Sequence, residues 1–165
     1  LLGLEKSARS DVEEQLAAGA DPVQARLSLA ELLQQRGDYA QAVAILQDAL
    51  PLAGQASPIH LALARCFAGQ RRHHMAAASL EAALASDELD LEARKEVLYR
   101  LAEARRRQLR YDEAIAALEQ VCALDATYQN VLGLLDIVQR EKVTAQAQPA
   151  TLRPTSSVRL LPEGR

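Results

Sequence analysis

Between residues 37 and 50 the chain reads GDYAQAVAILQDAL, a turn followed by apolar positions at helical spacing, with Ala42 and Ala49 flanking Leu46 on the inward face. A core-facing helix usually carries large apolar residues along that stripe. Small ones at regular intervals predict a second helix lying unusually close. The pattern also returns. Leu29, Ala30, Leu33, Tyr39, Ala42, Leu46, Ala49 and Leu50 recur 34 residues later as Leu63, Ala64, Phe67, His73, Ala76, Leu80, Ala83 and Leu84. A third copy, Leu101, Ala102, Arg105, Tyr111, Ala114, Leu118, Val121 and Cys122, is offset by 38 instead. The four extra residues fall around SDELDLEARKEV, where the polar run from Ser86 to Asp90 offers a cap to a longer helix.

Shifting back by 34 from the first copy finds Gly3, Ala8, Val12 and Leu16, a degenerate half of an earlier unit. After the third copy, Val131, Leu134, Leu135 and Val138 keep helical spacing. They predict either a helix that caps the last hairpin or the first helix of a truncated fourth unit. From about Val143 the texture changes, and Pro149, Pro154 and Pro162 with Thr and Ser forbid a regular helix. That stretch reads as a linker toward another domain or as an extended segment that grips a surface through Val158, Leu160 and Leu161. The chain begins LLGLEKS without Met and is expected to be a piece of something longer.

Each copy resembles the tetratricopeptide repeat, and the stretch ARLSLAELLQQRGDYAQAVAILQDALPL carries the resemblance best: the Leu29-Ala30 pair, the turn Gly37-Asp38-Tyr39, then Ala42, Leu46 and Ala49. The departures are Arg26 at the place of the usual Trp, Arg71 and Leu109 at the place of the turn glycine, and a missing closing proline. The resemblance implies an all-α fold, a right-handed superhelix of antiparallel helix hairpins. Residues 1–20 would form a partial repeat or N-terminal helix, 23–56, 57–90 and 91–124 three repeats, 125–142 the capping helix and 143–165 the tail.

Composition agrees with helix, since apolar residues make up 49% of the 165, aromatics only 3%, and Gly and Pro are sparse. The net charge of −3 argues against general nucleic-acid binding. Residues 65–110 nevertheless hold ten Lys and Arg against seven Asp and Glu, a basic island. Within it, the run Arg105 to Arg110 could meet phosphates or an acidic partner, or form an exposed helix end whose arginines complement the dipole. No apolar run is long enough to span a membrane and no leader pattern is visible, so a cytoplasmic location is expected. Cys66 and Cys122 read as reduced core thiols.

No nucleotide-binding glycine loop, nucleophile elbow or zincin motif occurs, and the adjacent His73 and His74 point apart on a helix, so neither enzymatic activity, cofactor nor metal is expected. The resemblance places function on the first helix of each hairpin, which lines the concave side and binds peptides or partner proteins. On those helices Leu27, Leu61 and Tyr99 share one position and form a candidate apolar ladder, with Glu31, Arg65, Arg100 and Arg107 beside it. The arginines suit a partner with acidic and apolar residues, unless Glu31, Glu96 and Glu103 neutralise them. Of the carboxylate clamp of chaperone-binding relatives, only Arg100 fits. The remaining readings are a regulatory or scaffolding arm of a larger signalling enzyme, and a homodimer joined through solenoid ends.

Overall fold

In the computed structural model, residues 21–86 and 89–147 are described, together with Ser10, Glu14 and Gly19. The partial repeat expected at 1–20, the acidic pair Asp87 and Glu88, and the tail beyond Ala147 otherwise lie outside the described residues. Those described form seven α-helices and a single 3-10 turn, with no strand.

The first hairpin pairs α1 (Pro22–Gln35) with α2 (Tyr39–Ala49). Asp21 starts α1 by accepting a hydrogen bond from the Gln24 amide at 2.9 Å, and Pro22 follows at the first helical position, where its missing N–H costs nothing. The hairpin turns through Gly37, whose φ of +80° is left-handed, and the Asp38 amide closes it by donating to the Leu33 carbonyl at 2.9 Å. This six-residue closure satisfies carbonyls that a helix end leaves orphaned. It recurs in the next two hairpins, where the Arg72 amide donates to Phe67 at 2.8 Å and the Arg110 amide to Arg105 at 2.9 Å. Their left-handed residues are Arg71 and Leu109, at φ of +60° and +62°. The second hairpin joins α3 (Ser57–Gly69) to α4 (His73–Leu84), and the third joins α5 (Leu91–Arg107) to α6 (Tyr111–Leu124). Asp90 caps α5 through the Ala93 amide, and α5 is longer than α1 and α3, as the four extra residues predict.

Ala42, Ala76 and Ala114 are no more than 1% exposed, and so are Leu46, Leu80 and Leu118 one turn on. A methyl group at each crossing lets the two helices of a hairpin approach, while the leucines fill the space toward neighbouring helices. One apolar cluster runs through α1 to α4 and receives Val97 and Ala104 of α5. A second joins Leu98 and Ala102 of α5 to α6 and to α7 (Val131–Ala147). The helix α5 thus belongs to both, and Val131, Leu134 and Val138 pack α7 onto the third hairpin. The helix α7 continues past Lys142 to Ala147, because the first residue that forbids it is Pro149.

Two predictions follow from these local conformations. A left-handed residue bearing a Cβ is strained by roughly 1–2 kcal/mol, partly offset by the extra unfolded-state freedom of glycine. Leu109 is 70% exposed and has little burial to lose. Leu109→Gly is therefore expected to raise unfolding stability by about 1 kcal/mol and Leu109→Ala to change it little, as read by urea denaturation. Second, burial lowers the pKa of His60 on α3, while burial first, then Arg107 and Arg71, lowers that of His73. Their folded forms resist a proton that the unfolded chain accepts near 6.5. The stability they contribute is present above pH 6.5 and lost as pH falls through it, so the decline in urea midpoint between pH 7.5 and 5.5 should be shallower in the His60→Gln, His73→Gln double variant.

Candidate functional site

The first helices of the hairpins, α1, α3 and α5, follow one another along one side of the stack, and the two seams between them differ. At the first seam Gln34 reaches from α1 to α3 and donates from Nε2 to the Ala62 carbonyl at 3.3 Å and to Cys66 Sγ at 3.2 Å. Tyr39, the first residue of α2, lays its ring over Gly69 so closely that any Cβ there would run into it. That seam is filled. Burial pushes the Cys66 thiol up to about 11, against the pull of Gln34 and Arg65, so it remains a neutral, unreactive core group.

The second seam carries charge. Glu96 on α5 accepts from Arg65 Nη2 of α3 at 2.6 Å and from Arg100 Nε at 2.9 Å. Burial alone would raise the Glu96 pKa, but the two guanidiniums outweigh it and hold the carboxyl below its usual range. The Nε of Arg65 is buried without a hydrogen-bond partner. Beside this group, α3, α4 and α5 line an open-sided cavity of about 150 Å³. Ala64, Ala68, Ala76, Leu80 and Ala104 give it an apolar lining, and Arg65, Arg100, Arg107, Glu103 and His73 supply its polar lining.

Of the candidate groove residues, Arg65, Arg100 and Arg107 therefore meet at one place. Glu31 is exposed on α1. Leu27 and Leu61 are half-buried against the first apolar cluster, and Tyr99 packs on the second with its ring edge-on to Tyr128 at 6.0 Å. The three share one position along the repeats, but much of each is spent on packing. Of the proposed counter-ions, Glu96 pairs with two arginines and Glu103 lines the cavity. Ala68 and His73 complete the site. The comparison of repeats could have found Ala68, because it stands where the first repeat has Gln34.

The run Arg105 to Arg110 is not simply an exposed helix end. Arg105 is buried, paired with Glu81 of α4 and with Glu113 of α6, and Arg106 grips Glu141 of α7 through two hydrogen bonds at 2.6 and 2.8 Å. Only Arg107 in that triplet has no ion pair among the described residues. Lys95 is buried as well, held by Glu92 at 2.7 Å and Asp125 at 3.0 Å, with its ammonium 5.2 Å from the centre of the Tyr128 ring. Thr127 and then Lys95 hold the Asp125 carboxyl at about 2. These groups join α5 to its neighbours, whereas Arg65, Arg100 and Arg107 line the cavity at the second seam. Among the described residues no group of three or more His, Cys, Asp and Glu could hold a metal ion, and no helix is long and apolar enough to cross a membrane.

Residues 25–56 and residues 96–127 each match a family model described as the tetratricopeptide repeat. No curated protein matches the chain significantly. Among solved structures, the first tetratricopeptide domain of human RPAP3 superposes with a TM-score of 0.68 at 13% identity, covering 77% of this chain and 97% of that one. The corresponding domain of Sgt2 from Aspergillus fumigatus gives 0.68 at 19%, with 86% and 93% covered. MamA from Desulfovibrio magneticus RS-1 gives 0.59 at 19%, with 86% and 89% covered. At such identities these likenesses speak for the fold, and the two family matches fall on the first and third of the hairpins described above. By these matches residues 25–56 and 96–127 are tetratricopeptide repeats, and the described part of the chain is a stack of three helical hairpins followed by α7.

Proposed function

We propose that the chain is a non-catalytic interaction module that holds a peptide or partner protein against the side formed by α1, α3 and α5, with the α3–α5 seam receiving acidic groups. The observation that carries this reading is the convergence of Arg65, Arg100 and Arg107 on one cavity, where Glu96 serves two guanidiniums and Arg107 has no ion pair among the described residues. Guanidinium forks match carboxylates in geometry and charge. The filled first seam offers no comparable opening, so the polar recognition is concentrated at the second.

A phage-displayed library of random sixteen-residue peptides, selected on the immobilised full chain, tests the reading. Enriched peptides should be rich in Asp and Glu, and synthetic copies should bind more weakly as salt rises, because partly exposed charges are screened. Arg100→Ala combined with Arg107→Ala should weaken them at least tenfold by fluorescence polarisation, a loss of about 1.4 kcal/mol or more. Glu119→Ala, an exposed change on α6, should leave affinity unaltered. Unchanged affinity in the double arginine variant would contradict the proposal.

A further inference from the structure

The two seams can be compared residue by residue, since α1 and α2 map onto α3 and α4 at an offset of 34, and α3 onto α5 at an offset of 38. Where the first seam has Gln34, the second has Ala68; Tyr39 becomes His73, Cys66 becomes Ala104, Ala62 becomes Arg100 and Gly69 becomes Arg107. Gln34 crosses the first seam to the Ala62 carbonyl and Cys66, and the Tyr39 ring closes it over Gly69. Ala68 has no side chain with which to cross. The imidazole of His73 is smaller than the phenol it replaces, and its backbone carbonyl accepts from Gln108 Nε2 at 3.0 Å, which ties the second turn to the third. The shared alanines and leucine, Ala64, Ala76 and Leu80, are unchanged from Ala30, Ala42 and Leu46. The cavity of about 150 Å³ is thus what remains when the two residues that fill the first seam are shortened at the second.

Its lining beside the charged groups is aliphatic. Water there finds few hydrogen-bond partners, and an apolar cavity of roughly this size can stay dry and accept a group as large as benzene. One side chain the size of leucine, methionine or phenylalanine fits it. The charge beside it is asymmetric, because Arg65 and Arg100 share Glu96 while Arg107 has no ion pair among the described residues. We infer that this cavity is an anchor pocket for a single apolar side chain of a bound peptide, and that Arg107 holds a carboxylate carried by a residue next to that anchor.

The inference rests on the α1–α3–α5 side being the binding surface, and the experiment separates the two claims. Peptides obtained from the phage-displayed library are measured on the wild-type chain, on Ala68→Gln and on His73→Tyr, with thermal melts of each. Ala68 is exposed, so the glutamine can be accommodated, and both changes restore residues that the first seam already carries. The expected result is a shared apolar residue beside an acidic one in the peptides, and at least a tenfold loss of affinity on Ala68→Gln with an unchanged or higher melting temperature. Replacing the peptide's apolar residue by Ala should then cause little further loss on Ala68→Gln, since the two changes remove the same contact. Full affinity on both Ala68→Gln and His73→Tyr, with sensitivity to Arg100→Ala and Arg107→Ala retained, would overturn the pocket and leave the binding surface standing. Peptides indifferent to all these changes would overturn both. Self-association of the chain that Ala68→Gln abolishes, without peptide binding, would assign the cavity to a second copy and also overturn the inference.

Discussion

The close approach of antiparallel helices at buried alanines is the constraint on which the rest of the structure depends. Ala42, Ala76 and Ala114 each leave space for a neighbouring helix, and Leu46, Leu80 and Leu118 one turn later occupy the space toward other helices. A larger residue at the crossing would have to displace backbone, since packed interiors have little slack. Because the same residues recur at nearly constant intervals, the hairpins stack in one direction, and their first helices come to lie side by side. Any site built on that side inherits its spacing from the repeat.

On this common frame the repeats are individual. The first turn uses Gly37 for its left-handed residue, whereas the second and third force Arg71 and Leu109 into the same conformation. The first seam is closed by an amide and a ring, and the second is left open with arginines around it. The helix α5 is the most heavily tied, with Lys95, Glu96, Arg105 and Arg106 each forming ion pairs to another helix or loop. Partners from α3, α4, α6 and α7 and the loop before α7 meet on it. A buried cation left without its carboxylates would be costly, so these pairs act more as constraints on how the stack assembles than as a source of net stability.

Much of this was legible in the amino-acid pattern. The 34-residue interval, the alanines and the turn residues identified the hairpins, and the apolar spacing after residue 130 identified α7. The sequence pattern could not show that Arg105 and Lys95 would be buried. Their partners Glu81 and Asp125 stand 24 and 30 residues away, and a long charged side chain looks solvent-facing until its counter-ion is placed beside it. Leu27, Leu61 and Tyr99 were recognised as sharing a position, but how much of each would be spent on packing depends on neighbours such as Tyr128. The end of α7 was misjudged because the segment after Val143 changes composition before it reaches a residue that stops a helix.

The close approach can be tested most directly on α2, where two alanines separated by a single residue differ in surroundings: Ala42 is fully buried at the crossing and Ala44 is exposed. Urea denaturation of Ala42→Leu and Ala44→Leu compares them on the same helix. Overpacking at a crossing costs about 1–3 kcal/mol, so Ala42→Leu should lose stability in that range. Ala44→Leu should stay within about 0.5 kcal/mol of the parent chain. Equal stabilities for the two variants would contradict the claim that small side chains at the crossings hold the stack together.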